Sequence, residues 1–198
     1  ILPRVSGSFR YSRIAGGRAD GSANFDRSFD VHFLLADETE WRPAIAVGLR
    51  DFLGTGLYSG EYVVATKAFG PRVEVTGGIG WGRFGSFNGF SNPLGTLDSG
   101  LKTRPTGFTG TGGIIESGRW FRGDAAFFGG VAWSATPKLT LKAEYSSDAY
   151  TLETASALFQ HKSPYNFGLD YKISEGVNLQ AYYLYGSEFG AAVTFKLN

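Results

Sequence analysis

The 198-residue chain contains no cysteine and no methionine. The first absence excludes disulfides and thiolate metal sites, and it fits an exported protein. The second means that Ile1 is not an initiator, so a processed chain or a piece of a longer one is expected. No run of about 18 apolar residues occurs, which excludes a transmembrane helix. No signal peptide is visible. A dominant charge is missing too: 19 Lys and Arg oppose 18 Asp and Glu, a net +1. Nothing in that balance points to nucleic acid or an acidic surface. What is abundant is glycine, with 29 residues, alongside 16% aromatics. Glycine disfavours helix interiors by about 1 kcal/mol each, so the composition points to strands and turns.

The hydrophobic period is two. Leu139, Leu141, Ala143 and Tyr145 fall on one face, against Thr140, Lys142, Glu144 and Ser146. Tyr165, Phe167, Leu169, Tyr171 and Ile173 oppose Asn166, Gly168, Asp170 and Lys172, and Phe189, Ala191, Val193, Phe195 and Leu197 oppose Gly190, Ala192, Thr194 and Lys196. Such rows are half-buried strands. Similar rows begin near Val5, Phe29, Ala44, Tyr58, Val73, Ala125 and Val177. They predict about ten strands of roughly 10 residues, the length that crosses a bilayer at a tilt. Longer connections near 16–26, 53–57, 86–122 and 151–163, with a tight one at 186–188, alternate with short turns near 37–40, 70–71, 135–138 and 174–176. Loops at one end and turns at the other are the pattern of outer-membrane barrels. The expectation is therefore all-β: a single-domain antiparallel up-and-down transmembrane β-barrel over 1–198, with both ends of this chain periplasmic.

Within this barrel, "GLRDFLGTGLYSGEY" (48–62) is a hairpin. Ile45, Val47, Leu49, Tyr62 and Val64 are expected to face lipid, and Arg50, Glu61 and Lys67 the lumen. Aromatics sort by height. Phe29, Tyr58, Trp81, Tyr165, Tyr185 and Phe189 lie toward the outer rim, and Trp133, Tyr171 and Phe195 toward the inner rim. Val31, Val47, Val64, Leu141, Leu169, Ala181 and Val193 lie between, with Phe167 as an exception.

Few residues suggest chemistry. "GTGGIIESG" (110–118) lacks the Lys-Ser/Thr ending of a phosphate loop and reads as a glycine-rich loop. His32 alternates inward beside Asp30, and His161 sits in an outer loop; neither belongs to a paired catalytic constellation or a zinc spacing. No catalytic residue, cofactor or metal is expected. The lumen charges are Arg50, Glu61, Lys67, Glu74, Lys142, Glu144, Asp170, Lys172 and Lys196. They form either a conduction path or a static salt-bridge network; the network suits a narrow barrel, since wide aqueous channels need 16–18 strands. Arg119, Trp120, Phe121 and Arg122 close the longest loop. They suit contact with a glycan and equally the anchoring role of Trp and Arg at a membrane interface.

The segments "LPRVSGSFRYS" (2–12), "DRSFD" (26–30), "AVGLRDFLGTGLYSGEYVVATK" (46–67), "GGIGWGR" (77–83), "FRGDAAFFGGV" (121–131), "LKAEYSSDAY" (141–150), "SPYNFGLDYK" (163–172) and "AYYLYGSE" (181–188) resemble the YjbH-like proteins. These are predicted outer-membrane barrels encoded with exopolysaccharide and capsule export genes. The resemblance implies a non-enzymatic barrel in a Gram-negative outer membrane that helps produce or export polysaccharide. Its partners would be the lipid bilayer, the polysaccharide and other envelope export proteins, with no nucleic acid. Alternatives are a barrel enzyme acting on glycan or peptide at its outer rim, and a plugged structural barrel. Members of that family are much longer, and "VTFKLN" lacks a barrel's common terminal aromatic, which fits a chain continuing past Asn198. An intact barrel of ten or twelve strands is expected, and the self-contained alternation of loops favours ten.

Overall fold

The computed structural model describes residues 3–14, 24–54, 56–105, 115–155 and 160–196. Thr55 of the Gly-Thr-Gly turn, the Gly-rich stretch up to 114 and Leu197 of the last predicted strand lie outside the described residues.

Ten strands form one antiparallel sheet in which each pairs with its neighbours in sequence. They are β1 (Val5–Ile14), β2 (Asn24–Ala36), β3 (Ala44–Arg50), β4 (Gly60–Phe69), β5 (Val73–Gly82), β6 (Ala125–Ser134), β7 (Leu139–Tyr145), β8 (Tyr165–Ser174), β9 (Val177–Leu184) and β10 (Glu188–Phe195). This is the predicted up-and-down order, and the loop-and-turn alternation holds. The β4–β5 turn shows why so few residues suffice there: Gly70 takes φ 66°, which glycine alone adopts without steric cost. A five-residue helix α1 (Thr151–Ala155) lies in the β7–β8 loop. Both β1 and β10 meet the sheet's short-turn end with their outer termini.

The sheet has two unlike faces. Phe9, Phe29, Phe33, Phe127, Val131, Trp133, Phe167, Tyr171, Phe189, Val193 and Phe195 are exposed on one, with Phe127 at 65% and Val193 at 51%. Side chains from β1 to β7 meet around a cavity on the other, so the sheet curls with its apolar face outward. An exposed apolar face this continuous is not how a soluble sheet buries its residues.

Three expectations are corrected. First, β4 carries the opposite phase. Tyr62, Val64 and Thr66 line the cavity, so alternation places Glu61 and Lys67 on the outer face. The run Tyr62-Val63-Val64-Ala65 is apolar on both faces and cannot set its own phase. The neighbours set it: Tyr62 pairs with Gly48 on one side and Gly80 on the other, and its ring lies in the gap they leave. Second, the outer girdle is thinner than predicted. Trp81 is buried, Tyr58 lies under the Arg10 and Arg83 guanidiniums, and Tyr185 packs on Tyr150. Third, the ten strands do not close on themselves: β1 pairs with β2 and β10 with β9, and among the described residues each leaves its other edge unpaired.

Candidate functional site

The inner cavity has a volume of about 580 Å³. Its wall combines rings with polar groups. Tyr62 meets Phe84 edge-on at 5.5 Å and Phe128 edge-on at 6.1 Å, and Phe84 and Phe128 lie 5.9 Å apart. His32 stacks on Tyr62 at 6.2 Å. Phe84 comes from the start of the long β5–β6 connection, which turns inward at Gly82. The three rings lie against the wall because glycines face them. A Cβ at Gly48 would stand 2.1 Å from the Tyr62 ring, one at Gly78 2.4 Å from Phe128, and one at Gly80 2.3 Å from Phe84.

Around the rings are Asp30, Arg50, Glu144, Thr66, Thr76 and several serines. Asp30 is engaged: it accepts hydrogen bonds from the Ser8 and Ser28 hydroxyls and the Asp51 amide. Arg50 is different. Its guanidinium lies 5.7 Å from the Phe84 ring centre and has no carboxylate partner among the described residues. Glu144, which hydrogen-bonds Asn166, also lines a second cavity of about 300 Å³ with Lys142, Asp170, Gln180 and Tyr182.

The nine predicted lumen charges do not form one network. Lys142 and Asp170 form an ion pair, which among the described residues is the one bridge joining two of the nine. Arg50 and Glu144 line the cavity. Glu74 lies on the inner face near the short-turn end, Lys172 bridges to Glu175 at 2.7 Å in the following turn, and Lys196 follows the end of β10. Lys67 bridges to Glu38 of the β2–β3 turn at 2.6 Å. The Lys67 and Ala68 hydrogen bonds hold the Glu38 carboxyl below its ordinary range.

Glu61 belongs to a different centre. The β5–β6 connection folds back over the outer face of β4–β6 and buries Glu61 to 1% exposure. Arg104 grips both its oxygens, at 2.7 and 3.0 Å, and the Phe121 amide donates to it at 2.9 Å. Beside it, Asn92 satisfies all its polar atoms. Its oxygen accepts from Trp81 Nε1 and the Leu94 amide, and its nitrogen donates to the Leu101 and Phe121 carbonyls. Phe121 packs edge-on against Trp81 at 5.2 Å, from a φ of 55°. Arg119 bridges to Glu116, and Arg122 donates to the Gly100 carbonyl. Three of the four residues singled out for glycan contact therefore fasten the loop, while Trp120 is half-buried beside them.

A second clasp ties the neighbouring loops. Arg83 bridges to Asp148 at 2.7 Å and to Glu153 of α1 at 2.9 Å, with Tyr58 and Tyr150 on its faces. Burial opposes its charge, but the hydrogen bonds it donates to both carboxylates outweigh that and push its pKa up. Burial also pushes the Tyr150 hydroxyl up. His161 packs among Phe87, Tyr150 and Tyr185. No group of three potential metal ligands occurs among the described residues.

Sequence reasoning missed the ring wall and both clasps. The wall had a signal: Gly78, Gly80 and Gly82 repeat at period two on one face of β5, which marks room for large side chains opposite. The clasps had none, because Arg104 and Glu61 stand 43 residues apart.

A solved NanC porin structure overlays the chain with a TM-score of 0.49 at 11% identity, covering all of this chain and 88% of that one. The protein named "uncharacterized lipoprotein YjbH" from Escherichia coli (strain K12) is 37% identical over 175 residues, 87% of this chain. The chain spans about a quarter of that relative, 24% of its length. The family described as exopolysaccharide biosynthesis protein YbjH matches residues 1–198 in full, and to this YjbH family the chain belongs.

Proposed function

We propose that residues 1–198 form wall of an outer-membrane β-barrel that assists exopolysaccharide production or export without catalysing a reaction. The observation that carries this reading is the two-faced sheet: an exposed apolar, aromatic outer face and a polar, ring-lined inner cavity, in a chain of an exopolysaccharide biosynthesis family. Only a lipid environment gives such an outer face a partner over its whole extent. The name lipoprotein carried by the Escherichia coli relative agrees with a place in the envelope. Outer-membrane barrels keep short turns in the periplasm, so both ends of this chain are periplasmic in this reading. The partners are the bilayer, the exported polymer and other envelope proteins.

Two measurements test it. The protein should fractionate with the outer membrane, and deleting its gene should lower secreted polymer, with recovery on complementation. Residues 1–198 contain no cysteine, so a single cysteine introduced among them is the only one in this segment. A cysteine at Phe127 should react with a lipid-soluble maleimide and one at Thr76 with a water-soluble maleimide. Equal labelling of both by the water-soluble reagent, or unchanged polymer after deletion, refutes the reading.

A further inference from the structure

The rings of the inner wall are arranged like a recognition surface rather than a filling. Three glycines on β3 and β5 hold three rings against the wall, and about 580 Å³ stays open beside them. That volume falls in the range of small-molecule sites, roughly 300–1,000 Å³. A sugar ring offers two surfaces to such a wall. Its axial C–H groups pack on aromatic faces, whose quadrupole is negative, and its equatorial hydroxyls need donors and acceptors. Arg50 supplies a fork of donors with no carboxylate among the described residues to occupy it. Glu144 and the Thr66 and Thr76 hydroxyls supply acceptors; the two hydroxyls also hydrogen-bond each other at 2.9 Å, which leaves each a free lone pair. The charges decide between ligand classes. Asp30 and Glu144 outnumber Arg50 along the cavity, so an anionic chain meets net repulsion and a neutral one does not. Glu144 lines the adjoining cavity as well, which extends the polar wall beyond one ring.

We infer that the inner wall formed by Arg50, Tyr62, Phe84 and Phe128 binds neutral pyranose units of a saccharide chain. The inference rests on the proposed polysaccharide role and names its contact site. Phe84 and Tyr62 supply the stacking faces, and Arg50 hydrogen-bonds ring hydroxyls.

The test is saturation-transfer NMR on the full-length protein in detergent, with maltotriose and cellotriose as neutral probes and trigalacturonate as the anionic one. Saturation should reach the ring protons of a neutral trisaccharide and not those of trigalacturonate. Arg50→Gln and Tyr62→Ala should each weaken binding about tenfold, the loss of one good contact. Tyr62→Phe, which keeps the ring, should retain it and guards against misfolding of Tyr62→Ala; circular dichroism checks each variant's sheet. Transfer to neither neutral probe, preference for trigalacturonate, unchanged binding in Arg50→Gln and Tyr62→Ala, or loss only in Trp120→Ala overturns the inference. Polymer secretion separates the two levels. If deletion abolishes secretion and Arg50→Gln and Tyr62→Ala restore it fully, the wall is not the contact site while the export role stands. If deletion leaves secretion intact, the export role falls, and the binding result alone judges the wall.

Discussion

Asp51 sits at the end of β3 with φ 52° and its carboxyl almost fully buried. The Tyr58 amide donates to it at 2.9 Å. Burial pushes the carboxyl up to about 6, against a hydrogen bond from Tyr58 that lowers it, with the nearby Asp26 charge adding to the rise. The sign follows from linkage: the folded loop holds this proton more tightly than the unfolded chain does. Loop 51–59 is therefore most stable below the ordinary carboxyl value of 3.8, and loses that stability as pH rises to about 6. Asp51→Asn keeps the acceptor, suits the left-handed backbone, and should remove this dependence. Hydrogen exchange of the Tyr58 amide, corrected for intrinsic rate, reads it between pH 4 and 7; a flat wild-type profile would count against the burial of the charge. A second pair of neighbours tests the faces. Leu169 and Asp170 are adjacent in β8, but in the proposed barrel Leu169→Arg would place a charge in lipid near mid-depth, costing about 2–4 kcal/mol. Asp170→Asn removes a partly exposed bridge to Lys142, worth about 1 kcal/mol or less. Equal losses in refolding titrations into vesicles would sink the assignment.

At the scale of elements, a buried ion pair and a saturated asparagine help to hold the β5–β6 connection to the sheet, beside the backbone bonds between Phe90 and Ala125 and the Arg83 clasp. Removing one partner of a buried pair costs about 3–5 kcal/mol, because the other charge stays desolvated. Arg104→Ala should thus loosen the connection and raise its cleavage by protease between 86 and 122, while β1–β10 stay paired. Cleavage at the wild-type rate would show that the clasp does not hold the loop. How readable each element was depends on whether its own residues set its phase. β8 and β10 alternate strictly and were read correctly. β4 is apolar on both faces through Tyr62–Ala65, so only its glycine neighbours fix which face turns inward. β2 begins at Asn24, before the predicted Phe29, because Asp26 and Arg27 put charge on both faces there. Asp26 points inward and is buried, while Arg27 lies outside over the Tyr11 ring at 5.9 Å. The candidate site was less legible still. Arg50 and Glu144 could be placed by alternation, but Phe84 enters the wall from a loop, where no period applies.

For the whole molecule, the two free edges matter most. An unpaired strand edge in hydrocarbon costs several kcal/mol for each exposed backbone group, so in a bilayer neither β1 nor β10 can stay as it is. Pairing them with each other would need the sheet to close at ten strands, and the curl leaves them apart. The edges are therefore expected to be occupied by strands other than each other. Paired cysteines introduced into residues 1–198, which hold none of their own, decide this. Cysteines at Phe9 and Phe29, opposite each other across β1 and β2, should cross-link on oxidation in native outer membranes and serve as the reference. A cysteine at Phe9 combined in turn with one at Phe189, Ala191, Val193 or Phe195 should give no cross-link within the chain. Efficient linkage at any of those four would mean that β1 and β10 meet in the membrane and that the ten strands close a barrel on their own.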